Sequence, residues 1–152
     1  MRATRRVLMF LGTMFLITIS SHPVSQAVSQ PALPNPVLYL VTSELYSTGG
    51  GNFVRYKYDV LNKDAYPTDM FAPAPGLPPC GKNTNSSRTW VDIFDSRGKR
   101  LYGFCALGKP ADLNGIWFST PEGEVPPSYI YIEMNDRQTN TKYKSNLADT
   151  VM

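Results

Sequence analysis

Histidine is almost absent from this chain. The only one, His22, lies near the N-terminus, and residues 28–152 contain none. That excludes imidazole general bases, Ser-His and Cys-His nucleophile pairs and most transition-metal sites from the body of the protein. Cysteine is scarce too, with Cys80 and Cys105 alone, and their spacing does not form the Cys-x-x-Cys redox motif. No segment carries the apolar 3.6-residue period of an amphipathic helix, and no internal repeat is present. Charge imbalance is lacking as well. The 15 basic residues include Arg2, Arg5 and Arg6; without those three, 12 basic residues face 12 acidic ones. The argument for nucleic acid or an anionic membrane surface needs clustered positive charge, and this balance removes it.

The three arginines open a recognisable arrangement. They precede an uncharged apolar run over residues 7–19, which is followed by a polar stretch with Pro23 and the small-residue pattern Ser25-Gln26-Ala27. The apolar run falls short of the ~20 residues that span a bilayer. Residues 1–27 therefore read as an export signal cleaved between Ala27 and Val28, giving a secreted or periplasmic protein without stable membrane insertion. In an exported protein the pair Cys80 and Cys105 reads as a disulfide, closing a loop of roughly 25 residues and contributing about 3–4 kcal/mol.

After a lead-in over residues 28–35, residues 36–152 read as one domain. Short β-type segments recur at 36–46, 53–60, 89–95, 100–107, 113–120, 128–135 and 142–151. In the second of these, Val54, Tyr56, Tyr58 and Val60 alternate with Arg55, Lys57 and Asp59, the pattern of a strand with one face in a core. Gly49-Gly50-Gly51 is followed by a strand rather than a helix, so it reads as a hairpin turn and not a phosphate cradle. Pro67, Pro73, Pro75, Pro78 and Pro79 make residues 61–88 irregular. The expected fold class is all-β, an antiparallel Greek-key β-sandwich of about seven strands with a long Pro-rich loop and one disulfide.

The C-terminal stretch has Pro126-Pro127 before Tyr129-Ile130-Tyr131-Ile132, then a polar turn, then Tyr143-Lys144-Ser145. It resembles a fibronectin type III, immunoglobulin-like domain. The resemblance implies a seven-stranded Greek-key sandwich and a binding or spacer role. The Pro-rich insert and the cysteine pair depart from it, and Cys80, Trp90 and Cys105 stand too close together for an immunoglobulin-type bridge between sheets.

The hairpin over residues 89–107 is apolar on both faces, and one sheet interface buries only one. The second face calls for a cover or a partner. Met70, Phe71 and Leu77 of the Pro-rich loop could cover it as a lid. Alternatively, Trp90, Tyr102, Phe104, Tyr129 and Tyr131 stay exposed and bind a ligand. The acidic pairs Asp92/Asp95 and Glu122/Glu124 are candidates for carboxylate chemistry, and Asp92/Asp95 read better as turn residues than as a calcium loop. Asn85-Ser86-Ser87 fits a glycosylation sequon if the source is eukaryotic. The function expected is a non-catalytic binding or interaction domain for a protein or glycan, needing no cofactor or metal and binding no nucleic acid. The alternative is a small secreted hydrolase working through carboxylates, or an enzyme inhibitor.

Overall fold

Strict alternation in the chain becomes strict alternation of burial in space. The computed structural model describes residues 32–78, 87–105 and 108–151. Strand β1 (Leu38–Thr48) turns at Gly49-Gly50 into β2 (Gly51–Val60). After the Pro-rich segment come β3 (Thr89–Asp95), β4 (Arg100–Phe104), β5 (Ile116–Pro121), β6 (Tyr129–Asp136), β7 (Thr141–Lys144) and the two-residue β8 (Ala148–Asp149). The last expected strand is thus split in two: β7 and β8 both pair with β6, on either side of a break at Ser145–Leu147.

All pairings between strands are antiparallel. β1-β2-β5 form a three-stranded sheet, and β4-β3-β6-β7 with β8 form a five-stranded one. The chain passes between the sheets after β2, after β4 and after β5. The register places Tyr56, Tyr58, Ile116 and Phe118 on the inner face of the smaller sheet and Val91, Ile93, Ile130, Ile132 and Met134 on the inner face of the larger. These residues belong to one buried cluster, so the two sheets share one core.

The Pro-rich segment closes one end of that core. Short 3-10 turns at Lys63–Ala65 and Thr68–Phe71 carry Tyr66, Met70 and Phe71 into the cluster, with Phe71 only 1% exposed. Thr89, wholly buried at the start of β3, donates its hydroxyl to the Met70 carbonyl. Arg88 spreads its guanidinium over Asp136 in a two-pronged contact of 2.8 and 2.7 Å, and reaches Asp69 at 2.9 Å. Burial alone would raise the Asp136 carboxyl. Arg88, the Thr139 hydroxyl and the Gln138 N–H outweigh it and hold that carboxyl below its ordinary range.

Two expectations are corrected here. Phe71 is buried, but in the single core between the sheets, so the segment plugs the end of the layers instead of lying over the outer face of the hairpin. No disulfide is found among the described residues: Cys105, just beyond β4, is a free thiol, and Cys80 lies outside them. The segment is anchored on the β6 side of β3, through Arg88–Asp136 and through Arg137, which donates to the Pro78 carbonyl at 2.6 Å. Cys105 follows β4, on the other side of β3. Polar contacts do the tethering that the bridge was expected to do.

Candidate functional site

β5 alternates like β2. Ile116, Phe118 and Thr120 point inward and are buried, which turns Trp117 and Ser119 outward. On β2, Arg55 stands opposite Ser119 and Lys57 opposite Trp117; on β1, Glu44 stands opposite Arg55 and Tyr46 opposite Phe53. The outer face of the small sheet thereby collects Tyr46, Arg55 and Trp117. The Arg55 guanidinium carbon lies 4.1 Å from the centre of the Tyr46 ring and 4.7 Å from that of Trp117. Such cation–π contacts are worth about 0.5–1 kcal/mol each at exposed sites. Tyr46 donates its hydroxyl to Ser119 Oγ at 3.1 Å and stacks on Phe53 at 5.7 Å. Glu44 accepts from Lys57 at 2.6 Å and sits 3.5 Å from Arg55; the Lys57 hydrogen bond leads in holding its carboxyl below the usual range.

The other sheet completes the band. Tyr102 of β4 stacks with Trp117 of β5, ring centres 5.9 Å apart and planes 21° from parallel, and Phe104 follows at 6.5 Å from Tyr102. β4 and β5 are each the outermost strand of their sheet, so the contact joins two free edges. A groove of about 720 Å³ runs along this seam, a volume within the range of small-molecule and peptide sites. Leu101, Tyr102, Trp117 and Ser119 line it. The Asp95–Lys99 turn and Val125-Pro126-Pro127 also line it, brought side by side by the Ser96 N–H, which donates to the Tyr129 carbonyl. Tyr102 is 48% and Trp117 38% exposed. Arg97, Lys99 and Glu124 add charge to the lining. Thr120 Oγ1 is buried in the wall with no hydrogen-bond partner.

The residues chosen from sequence do not form one surface. Tyr102 and Phe104 pair with Ile93 and Val91, so they share the inward-facing side and lead to the groove. Trp90 and Tyr131 lie on the outer face of the large sheet, with Tyr129 at the start of β6. There Tyr131 stacks on Phe94 at 5.2 Å, Lys144 lies 4.1 Å from the Tyr131 ring, and Arg100 lies 5.7 Å from that of Trp90. Arg100 also bonds Asp92 at 2.6 Å, and Lys142 bonds Glu133 at 2.6 Å. Gly103 leaves room for the Arg100–Asp92 pair, which a Cβ at that position would strike. The second apolar face of the hairpin is thus covered by long cationic side chains from its own sheet.

Of the carboxylate candidates, Asp95 and Glu124 line the groove, and Asp92 and Glu122 do not. Asp92 faces outward to Arg100, while Asp95 accepts from the Arg97 and Lys99 N–H groups and shapes the turn. Glu122 is held by Asn52 at 2.9 Å. Among the described residues no group of three or more His, Cys, Asp or Glu could hold a metal ion, and no helix is long and apolar enough to cross a membrane. Ala27, Val28 and Asn85 lie outside the described residues.

Tyr46, Arg55 and Trp117 were missed as site residues although the signal was present. Reading the alternation of β2 through to β5 puts Arg55 and Trp117 on one outward face; only the pairing of β2 with β5 was hidden. Comparison with known proteins adds no relative: no family model, no curated protein and no solved structure matches the chain.

Proposed function

We propose that this protein is a secreted or periplasmic, non-catalytic binding domain that receives a protein or glycan ligand in the groove between β4 and β5. One observation carries the reading: two large aromatic rings, Tyr102 and Trp117, stand stacked and half exposed at the meeting of two free sheet edges. Trp117 is fixed from behind by Arg55, itself clasped by Tyr46. Rings held this way lose little freedom on binding, which is how a pre-organised aromatic surface favours affinity. Of the two candidate carboxylates in the groove, Asp95 is taken up by the Arg97 and Lys99 N–H groups of its own turn, which weighs against the hydrolase alternative.

The three passages of the chain between two antiparallel sheets support a Greek-key sandwich of fibronectin type III-like kind. The export assignment rests on Arg2, Arg5, Arg6, the apolar run and the small residues before Val28. N-terminal sequencing of protein collected outside the cytoplasm should start at Val28; a start at Met1 refutes cleavage.

The binding site is tested by screening the wild type, Trp117→Ala and Trp90→Ala against a glycan array and a displayed peptide library. The expected result is a set of ligands lost with Trp117→Ala and kept with Trp90→Ala. Ligands lost only with Trp90→Ala move the site to the outer face of the large sheet and overturn the groove.

A further inference from the structure

The four outer edges of the two sheets are not equally protected. β4 has five residues, begins at Arg100 and carries a register shift against β3. β5 has six residues and ends at Pro121. β7 has four, with Lys142 and Lys144, and β8 two. Short length, lysine, proline and bulges are the devices that keep sheet edges from pairing with other chains. β1 has eleven residues and contains no lysine, arginine or proline. Its single charge, Glu44, is neutralised within its own sheet by Lys57 and Arg55. It exposes Tyr39 at 43%, Val41 at 44% and Leu45 at 59%.

The start of this edge is covered. Asn146 donates to the Leu38 carbonyl at 2.9 Å and accepts from the Leu38 N–H at 2.7 Å. A bulge between Leu40 and Thr42 then interrupts the register, which continues unbroken from Thr42 to Thr48. The two-residue turn makes Thr48 and Gly51 a hydrogen-bonded pair, so alternation directs the N–H and C=O groups of Ser43, Leu45 and Ser47 away from β2.

We infer that β1 joins a second copy of this chain, edge to edge and antiparallel over Thr42–Thr48, about a two-fold axis at Leu45. The segment is self-complementary in that register. Leu45 meets its own counterpart, Glu44 meets Tyr46, Ser43 meets Ser47 and Thr42 meets Thr48. Every pair joins residues of the same sheet face, and no like charges meet. A slip of one residue to an axis at Glu44 would set two carboxylates opposite each other and use backbone groups already committed to β2. The product is one continuous six-stranded sheet, an isologous dimer.

Sedimentation velocity on the protein as purified from its producing cell, over roughly 1–100 µM, tests this through the concentration dependence of an oligomer. A monomer–dimer equilibrium is expected. Leu45→Lys, which opposes two ammonium groups at the axis, should weaken association by about 100-fold. Ser43→Pro removes an N–H that only the second copy would use and should do the same, with the circular dichroism of the monomer unchanged. Leu45→Cys should give a disulfide-linked dimer on oxidation, because hydrogen-bonded partners stand about 5.5 Å apart at Cα, within bridging range. A monomer at every concentration, or a dimer indifferent to these substitutions, overturns the proposal.

Discussion

The two ends of the layered core use similar side chains to opposite effect. At one end Tyr66, Met70 and Phe71, brought in by the Pro-rich segment, are 3%, 1% and 1% exposed, and a buried arginine–aspartate contact locks the segment down. At the other end Tyr102 and Trp117 stand half exposed beside Val125, itself 88% exposed, with Pro126-Pro127 following. Both ends pair aromatics with a proline-containing connection. What differs is whether that connection inserts an apolar side chain between the sheets. Residues 61–78 insert three; residues 121–128 border the gap instead of filling it. The closed end is therefore filled by apolar side chains, and the open end leaves its aromatics half exposed, which is what the proposed binding role needs.

The contrast is sharpest under matched truncations. Phe71→Ala removes a fully enclosed ring from the core and should destabilise by about 3–5 kcal/mol in a denaturant melt. A loss under about 0.5 kcal/mol, the size of a surface change, would mean that the closed end is closed in name only.

The Arg88–Asp136 contact is the next largest expectation. Removing one member of a buried ion pair leaves the other uncompensated, so Asp136→Asn should cost about 3 kcal/mol near neutral pH. The pH dependence has a definite sign. The Asp136 carboxyl is held below its ordinary value in the folded protein. Its contribution is thus complete above the unfolded carboxyl's pKa of about 3.9 and fades as pH falls through the lower, folded value. Stability measured across the acid limb should drop in the wild type and drop less in Asp136→Asn. Parallel acid limbs in the two proteins would show that another group ties the segment.

Most of this architecture was legible in the sequence, because period-two patterns report burial directly. Tyr56, Tyr58 and Val60 are buried where the alternation put them, and β3 spans the expected residues. Gly49-Gly50 is the turn, tighter than the gap between the expected segments 36–46 and 53–60 suggested, because β1 and β2 pair as far as Thr48 and Gly51. What stayed hidden depends on which strands become neighbours. The groove needs β2 beside β5 and β4 at an edge, and nothing local in LNGIWFST or RLYGF specifies either. The lid was misplaced for a related reason. Apolar residues on the outer side of the hairpin looked uncovered because two of the covering cations, Lys142 and Lys144, come from a strand whose pairing was unknown, and because the third, Arg100, folds back over its own hairpin. The cysteine pair was misread because polar anchoring by Arg88 and Arg137 leaves no trace in spacing.

At the open end the stability effects should be small and the binding effects large. Trp117→Ala removes one stack and one cation–π contact from a half-exposed position, about 1 kcal/mol. It should therefore melt close to the wild type while losing the ligands of the groove. A loss comparable to that of Phe71→Ala would recast Trp117 as a structural residue and remove the distinction between the ends.

The smallest effect expected is that of reducing agent. If the Pro-rich segment is held by Arg88, Asp136, Arg137 and the buried Phe71, with Cys105 a free thiol, no covalent link contributes to the closed end. Denaturant midpoints with and without reductant should then coincide, and Cys105→Ala should shift stability by less than about 1 kcal/mol, the loss of a small half-buried side chain. The thiol should also react with a maleimide in the folded protein at a rate that Phe71→Ala leaves unchanged, since β4 lies across β3 from the segment's anchors. A native disulfide in a small exported domain would give the opposite signature, a drop of about 2–5 kcal/mol on reduction. That result would join the segment to the β4 side as well and make covalent closure, rather than polar anchoring, the difference between the two ends.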